Sequence, residues 1–175
     1  REITVFGEMY TQGSIYKGLK PVYWCSSDET ALAEAEIEYA EDPCTSVYVK
    51  FALHDDKGKL SDIDLKNTYF IIWTTTIWTL PGNMAIALNP TETYVIVKSG
   101  NENYIVAKAL LEKTMKMGGV ENYEIIAEHD GAFFEYMTAY HPFLDRDSLL
   151  VTADYVTMDS GTGCVHTAPG YGMDD

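Results

Sequence analysis

A succession of short apolar runs, each closed by turn residues, most constrains the fold of this chain. Runs rich in aromatic and β-branched residues and bounded by Gly, Pro, Asn or Asp predict strands. They cover residues 47–53, 69–76, 84–88, 93–98, 104–107, 123–127, 149–152 and 164–167. Strands and helices do not alternate regularly, as they would in a doubly wound sheet. We therefore expect a mixed α/β fold, mainly an antiparallel β-barrel with peripheral short helices.

Helical patterns are few. Residues 108–117 form the strongest of them, with Gly118 as the stop signal. Ser27 offers an N-cap for a short helix that runs to residue 33. Residues 34–39 then alternate acidic and apolar side chains with the period of a half-buried strand. Residues 1–23 predict a helix and connector, so residues 24–175 are expected to form the main domain.

Composition and charge exclude several classes of protein. The 175 residues are 46% hydrophobic and 13% aromatic, which is too much core material for a disordered acidic tail. There are 27 acidic residues against 12 Lys and Arg, for a net charge of −15. Autonomous nucleic-acid binders carry clustered basic residues, so this balance argues against that class.

The cysteines and the hydropathy pattern indicate a cellular setting. Cys25, Cys44 and Cys164 are widely spaced and form no CxxC pair, which predicts a reduced cytosolic protein without a zinc site built from cysteines. No apolar run approaches the roughly 20 residues of a membrane span, and a signal peptide is not expected. The chain begins at Arg1, which suggests an excised piece of a longer protein.

The first polar cluster embedded in apolar sequence covers residues 73–83. If the strand continues through Thr76, Thr74 and Thr76 project to one face and Thr75 to the other. A Pro-Gly turn follows and delivers the amide of Asn83. Such hydroxyl and amide groups can surround a small polar ligand with donors and acceptors. The alternative is that threonine is here simply a good strand residue.

The second cluster is the glycine-rich segment of residues 159–175. Its glycines allow close backbone approach, and a strand that ends at His166 would expose the imidazole at the end of the strand. A Ser160, His166 and Asp175 triad can be drawn, but no Gly-x-Ser-x-Gly elbow accompanies it. The four histidines show no metal-ligand spacing, so no metal site is expected. The Gly-x-Gly element is too short for a dinucleotide fingerprint.

Together the two clusters resemble the editing domains, also called CP1 domains, that are inserted in isoleucyl-tRNA synthetases. The resemblance rests on Trp-Thr-Thr-Thr-x-Trp-Thr-Leu-Pro-Gly-Asn at residues 73–83 and on Gly-Thr-Gly-x-Val-His-x-Ala-Pro-Gly-x-Gly-x-Asp-Asp at residues 161–175. The third threonine, Thr76, favours the isoleucyl over the valyl and leucyl members. Ile77 departs from the proline usual in the family, and Tyr171 is a second departure.

The resemblance implies the editing-domain fold and hydrolysis of valine wrongly attached to the isoleucine tRNA, with isoleucine excluded. Valyl-adenylate stays open as a second substrate. The implied residue roles are these. Asp175 anchors the α-ammonium group, and Asn83 supports the terminal adenosine or the carbonyl region. Thr74, Thr75 and Thr76 line the ester and place the water, while Trp78 and His166 shape the side-chain pocket, with His166 as the gate against isoleucine.

The same resemblance implies the partners. Neither His-Ile-Gly-His nor Lys-Met-Ser-Lys-Ser occurs, so ATP is used only by a synthetase body that lies outside this sequence. The editing domain itself is expected to need no cofactor and to act on the 3′ end of tRNA(Ile) carrying valine. We further expect a cytoplasmic monomer that works with the rest of the synthetase and not at a membrane. The alternatives are a non-catalytic amino-acid-binding module and an acidic structural domain without a site.

Overall fold

The structure, a computed structural model, describes residues 1–41 and 43–175. Its contacts divide the chain into two compact units, Arg1–Pro43 and Cys44–Asp175. This division lies later in the chain than the predicted start of the main domain at residue 24. The prediction concerned where a functional domain begins, and it stays a prediction.

The described residues of the first unit include an α-helix and a small hairpin. Helix α1 spans Glu2–Thr11 and buries none of its side chains. Strands β1 (Trp24–Cys25) and β2 (Thr30–Ala31) pair antiparallel. The predicted helix at residues 27–33 is therefore wrong, because the chain turns back there, with Glu29 at a φ of 52°. The predicted strand at residues 34–39 is also wrong.

A local hydrogen bond explains the second error. The Glu36 carboxylate accepts from the Ala33 backbone N–H at 2.7 Å, and Glu34–Glu36 forms a single 3-10 turn. Side chains that bond to nearby backbone in this way compete with strand pairing. Alternation of acidic and apolar residues therefore does not produce a strand here.

The second unit is built around a nine-stranded sheet with the order β11-β5-β10-β9-β3-β4-β7-β6-β8. Its strands are β3 (Val47–Asp55), β4 (Thr68–Thr74), β5 (Ala85–Leu88), β6 (Thr93–Ser99), β7 (Glu102–Ala107), β8 (Glu124–Asp130), β9 (Thr138–Tyr140), β10 (Asp147–Thr152) and β11 (Cys164–Thr167). Only the β10/β5 and β4/β7 neighbours run parallel. A mixed fold with a mainly antiparallel sheet is thus confirmed. Strand β9 was missed by the sequence analysis.

The sheet packs an apolar cluster on each face. Phe70 and Ile72 of β4 point into the main core, while Ile71 points to the other face. The second face is covered by helix α2 (Leu111–Met117), which buries Met115 against the sheet. The predicted helix covered residues 108–117. The first three residues of that range, Lys108–Leu110, form a 3-10 turn, so the α-helix begins only at Leu111.

The two ends of the sheet approach each other. The Ala107 N–H at the end of β7 donates to the Thr162 carbonyl at 2.8 Å, just before β11. In the pairing of the described residues, β11 and β8 stay at the two ends of the order. Closure into a barrel therefore stays a prediction. Neither helix in the described part of the chain combines the length and the apolar character needed to cross a membrane.

Candidate functional site

The threonine-rich motif begins where β4 ends. The Thr74 hydroxyl accepts from the Thr76 backbone N–H at 3.1 Å, and the two hydroxyl oxygens lie 3.2 Å apart. This side-chain bond replaces the next ladder bond, so the strand stops at Thr74 instead of Thr76. The sequence analysis expected Thr74 and Thr76 on one side, and the structure places them together through a turn rather than a continued strand. Thr75 is half-buried.

A 3-10 turn, Ile77–Gly82, follows and is held from outside. His141 Nε2 donates to the Leu80 carbonyl at 2.8 Å, and the Arg146 guanidinium donates to the Pro81 carbonyl. His141 is buried, and its Nδ1 accepts two backbone N–H groups. Trp78 is 70% exposed at the surface of the turn, and its implied role in the side-chain pocket stays a prediction.

The two motifs meet at His166. Strand β11 pairs antiparallel with β5 and puts His166 opposite Ile86. The His166 Nε2 lies 3.0 Å from the Thr79 hydroxyl, and its Nδ1 lies 2.7 Å from the Asn83 amide nitrogen. Segments more than eighty residues apart in sequence therefore share one hydrogen-bonded cluster.

The surroundings of Asn83 fix the protonation of this imidazole. Asn83 is fully buried, and its amide nitrogen donates to the Ala85 carbonyl at 2.8 Å and to His166 Nδ1. Because Nδ1 accepts, the ring proton lies on Nε2 and is donated to Thr79, whose own hydroxyl donates to the Thr76 carbonyl. His166 is thus a neutral imidazole with both ring nitrogens occupied.

The electrostatics agree with a neutral ring. Burial is the main cause that lowers the pKa of His166 below its ordinary value, the Asp175 carboxylate opposes this shift, and His141 adds to it. Desolvation disfavours a charged imidazole, and a proton on Nδ1 would face the N–H of Asn83.

The end of the chain folds back beside this cluster. The exposed Asp175 carboxylate accepts from the Ala168 N–H at 3.1 Å. The Tyr171 N–H donates to the Ala168 carbonyl, and its ring packs over Gly82 so closely that a Cβ there would lie 2.6 Å from Cε2. Lack of a side chain at Gly82 therefore lets the segment that carries Asp175 lie against the turn.

The structure thus brings together Thr74, Thr76, Asn83 and His166 by hydrogen bonds and holds Asp175 nearby. Every polar atom of the Asn83 amide is hydrogen-bonded inside the protein, and its implied support of the adenosine or the carbonyl region stays a prediction. Sequence reasoning missed Thr79, which lies within the motif, and Ser148, whose hydroxyl donates to Asn83 Oδ1. Ser148 carries no motif that could have revealed it.

Two alternatives from the sequence do not match this geometry. A triad with Ser160 would need a ring nitrogen of His166, and both bond to other residues. A domain without a site would place Thr76 and His166 on unconnected surfaces, whereas Thr79 joins them. Over residues 1–41 and 43–175, no three His, Cys, Asp or Glu side chains form a group that could hold a metal ion.

Comparison with protein families matches residues 2–149 to the tRNA synthetases class I (I, L, M and V). The chain belongs to this family. It is 56% identical over 177 residues to isoleucine–tRNA ligase of Caldanaerobacter subterraneus subsp. tengcongensis and 57% identical to that of Caldicellulosiruptor saccharolyticus. Both matches cover all of this chain and 19% of the relative. The chain therefore spans about a fifth of the length of these ligases.

Solved structures of editing domains share the fold. The P. knowlesi cytosolic leucyl-tRNA synthetase editing domain aligns with a TM-score of 0.60 at 15% identity, covering 73% of this chain and 59% of that one. The P. falciparum counterpart gives a TM-score of 0.58 at 14% identity, covering 69% and 60%. The expected synthetase family is thus confirmed by sequence, and the chain shares its fold with these editing domains.

Proposed function

We propose that this chain is the hydrolytic editing module of an isoleucine–tRNA ligase, which removes valine from tRNA(Ile) and spares isoleucine. The observation that supports it best is the meeting of the two motifs at His166. In a chain of this family and fold, that meeting places threonine hydroxyls, an imidazole and a carboxylate close to one another.

Such an activity is needed because binding alone discriminates poorly between valine and isoleucine. One methylene changes binding in an apolar pocket by only about 10- to 200-fold, a limit for which isoleucyl-tRNA synthetase is itself the standard example. A second pocket that is too small for isoleucine discriminates by steric exclusion instead. We assign that exclusion to His166, because its ring is fixed by Asn83 on one side and Thr79 on the other.

The proposed chemistry uses positioning rather than a strong base. Both ring nitrogens of His166 are occupied, so the imidazole does not take a proton from water in this state. The Asp175 carboxylate is exposed and can pair with the α-ammonium group of the substrate. Thr74, Thr75 and Thr76 offer hydroxyls to the ester and to the attacking water. An aminoacyl ester is already activated, and the neighbouring ribose hydroxyl can assist.

The proposal includes the partners. The substrate is the 3′ end of tRNA(Ile) carrying valine, with valyl-adenylate as an open second substrate. The rest of the synthetase supplies most phosphate contacts, since the chain has a net charge of −15. We propose that the module itself needs no cofactor, is monomeric in isolation and works in the cytoplasm, where proteins are made.

The test is deacylation by the full-length synthetase that carries this chain. Valyl-tRNA(Ile) and isoleucyl-tRNA(Ile) are supplied separately, and release of each amino acid is timed. We expect rapid loss of valine and slow loss of isoleucine. In a His166→Ala variant, isoleucine loss should rise at least about tenfold relative to valine loss. Equal loss of both amino acids from the unchanged enzyme would refute the gating role.

A second candidate function is binding of an amino acid without hydrolysis. It is favoured because both ring nitrogens of His166 are hydrogen-bonded, so the imidazole does not act as a general base. Calorimetry with free valine and the 175-residue chain separates the two. Tight binding of free valine together with no loss of the valyl ester would favour the binding module. Weak binding of free valine with ester loss would favour editing.

A further inference from the structure

We propose that Ser148 is a positioning residue of this site, which holds the Asn83 amide in one orientation and through it holds the imidazole of His166. The inference rests on the proposed function where it concerns catalysis. The positioning itself concerns hydrogen bonds within this chain and can be measured without substrate.

The place of Ser148 in the sheet is unusual for a polar residue. It lies in β10 two positions before Leu150, which belongs to the main apolar cluster, and both side chains are fully buried. Alternation along a strand puts these two residues on the same face. A hydroxyl at a core position is costly unless it is hydrogen-bonded, and this one donates to Asn83 Oδ1.

That bond completes the hydrogen bonding of Asn83. The Ala85 carbonyl and His166 Nδ1 take the amide hydrogens, and Ser148 supplies the donor that the amide oxygen needs. Without Ser148, Oδ1 would be buried and unsatisfied, so the amide would gain by turning away. His166 Nδ1 would then lose the donor that fixes its tautomer.

Among the described residues, two titratable groups shift the pKa of the His166 imidazole. Asp175 and His141 are the ones that influence its protonation, and they act in opposite directions. Arg146 reaches the same turn but is bonded to the Pro81 carbonyl. A change at Ser148 alters none of these groups, so its effect on His166 must pass through Asn83.

The experiment follows His166 by long-range nitrogen–proton NMR spectra of the 175-residue chain over a pH titration. In the unchanged chain we expect one neutral tautomer with the proton on Nε2. In Ser148→Ala we expect a mixture of tautomers and a titration midpoint that moves upward, because the neutral ring has lost a donor. Ser148→Thr retains the hydroxyl and should restore the single tautomer.

Ser99→Ala is the matched control. Its hydroxyl also makes one bond, to the Asn122 carbonyl at 2.8 Å, on β6 outside the site, and the His166 signals should not change. If Ser148→Ala does not fold, Ser148→Cys serves in its place. The thiol is a weak donor of similar size, and we expect a shift of the same sign. Unchanged His166 signals in a folded Ala or Cys variant would overturn the proposal.

Deacylation in the full-length synthetase provides the second measurement. We expect Ser148→Ala to lower the ratio of valine to isoleucine release about tenfold, the effect of a hydrogen bond worth roughly 1.4 kcal/mol. The KM for valyl-tRNA(Ile) should not change, since Ser148 is buried away from substrate. If the unchanged enzyme releases no valine but the NMR results hold, the proposed function fails and the positioning role stands.

Discussion

The candidate site around His166 has an inner half and an outer half, which differ in burial and in hydrogen bonding. The inner half consists of Asn83, Ser148 and His166, whose side-chain polar atoms are all hydrogen-bonded inside the protein. The outer half consists of Thr76, Trp78 and Asp175, which are exposed. The inner half is fixed by folding and can set geometry, whereas the outer half is exposed and can contact a substrate. Variants should therefore separate stability from activity.

The largest effect is expected at Asp175 in the outer half. Asp175→Ala removes the carboxylate proposed to hold the substrate ammonium, and kcat/KM for valyl-tRNA(Ile) should fall about 100-fold, as for a lost charged hydrogen bond. The melting temperature should change little, since Asp175 is exposed and loses one hydrogen bond, from the Ala168 N–H. Asp174→Ala, a neighbouring exposed carboxylate, is the matched control and should retain activity. Full activity of Asp175→Ala would remove this residue from the site.

The next effect is expected at Asn83 in the inner half. Asn83→Ala removes the amide that bonds to the Ala85 carbonyl, the Ser148 hydroxyl and His166 Nδ1, so the free energy of unfolding should drop by about 2 kcal/mol. Urea unfolding measures this loss. Asn101→Ala, at an exposed turn, should leave the midpoint unchanged. A loss no larger than that of the control would mean that the inner half does not stabilise the fold.

A smaller effect concerns pH. The pKa of His166 is lower in the folded chain than its ordinary value, so the unfolded chain takes up a proton first as the pH falls. The stabilisation is complete above the ordinary value and is lost as the pH falls through the lowered one. Unfolding in urea from pH 8 to 5 should therefore depend less steeply on pH in His166→Gln.

The pH experiment needs its own reference, because His129 also has a lowered pKa, caused mainly by burial. His129 stacks on Phe133, away from the site. In His129→Gln, the part of the pH dependence of unfolding that is due to His166 should remain. If His166→Gln and the unchanged chain had the same pH dependence, the neutral imidazole would not contribute to stability.

The smallest effect is expected where the two halves touch, at Gly82. Gly82→Ala would push against the Tyr171 ring, which is a flexible and largely exposed side chain, so the ring can move aside. A displaced Tyr171 would shift the segment that carries Asp175 and weaken the hydrogen bond of Asp175 to the substrate by well under about 1.4 kcal/mol. We therefore expect the rate of deacylation to fall two- to fivefold. In a Tyr171→Ala background the same change should have no further effect. An additive loss would show that Gly82 acts by another route.

Much of the sheet could be predicted from the sequence, because most of its strands contain buried apolar residues. Ile71 and Ile72 face opposite clusters, as the period of a strand requires. Prediction failed at residues 34–39, where one Glu36 side-chain bond forms a turn instead. It also extended β4 to Thr76, because propensity does not show that the Thr74 hydroxyl takes over a backbone donor.

The site could be predicted only where residues form motifs. Thr74, Thr76, Asn83 and His166 lie in two recognisable segments, and they meet. Ser148 could not be found, because its role depends on a contact between β10 and a residue sixty-five positions earlier. The exposure of Trp78 was equally hidden, since a tryptophan in an apolar run is usually buried.

The most direct test of the division between inner and outer halves is a crystal structure of the 175-residue chain with a non-hydrolysable valyl-adenosine analogue. We expect the α-ammonium group within hydrogen-bond distance of Asp175 and the valine side chain against the ring of His166. The hydrogen bonds from Asn83 to His166 and to Ser148 should be unchanged. An analogue bound away from Asp175 would contradict this account. So would an analogue that breaks the hydrogen bond between Asn83 and His166 and bonds to His166 directly.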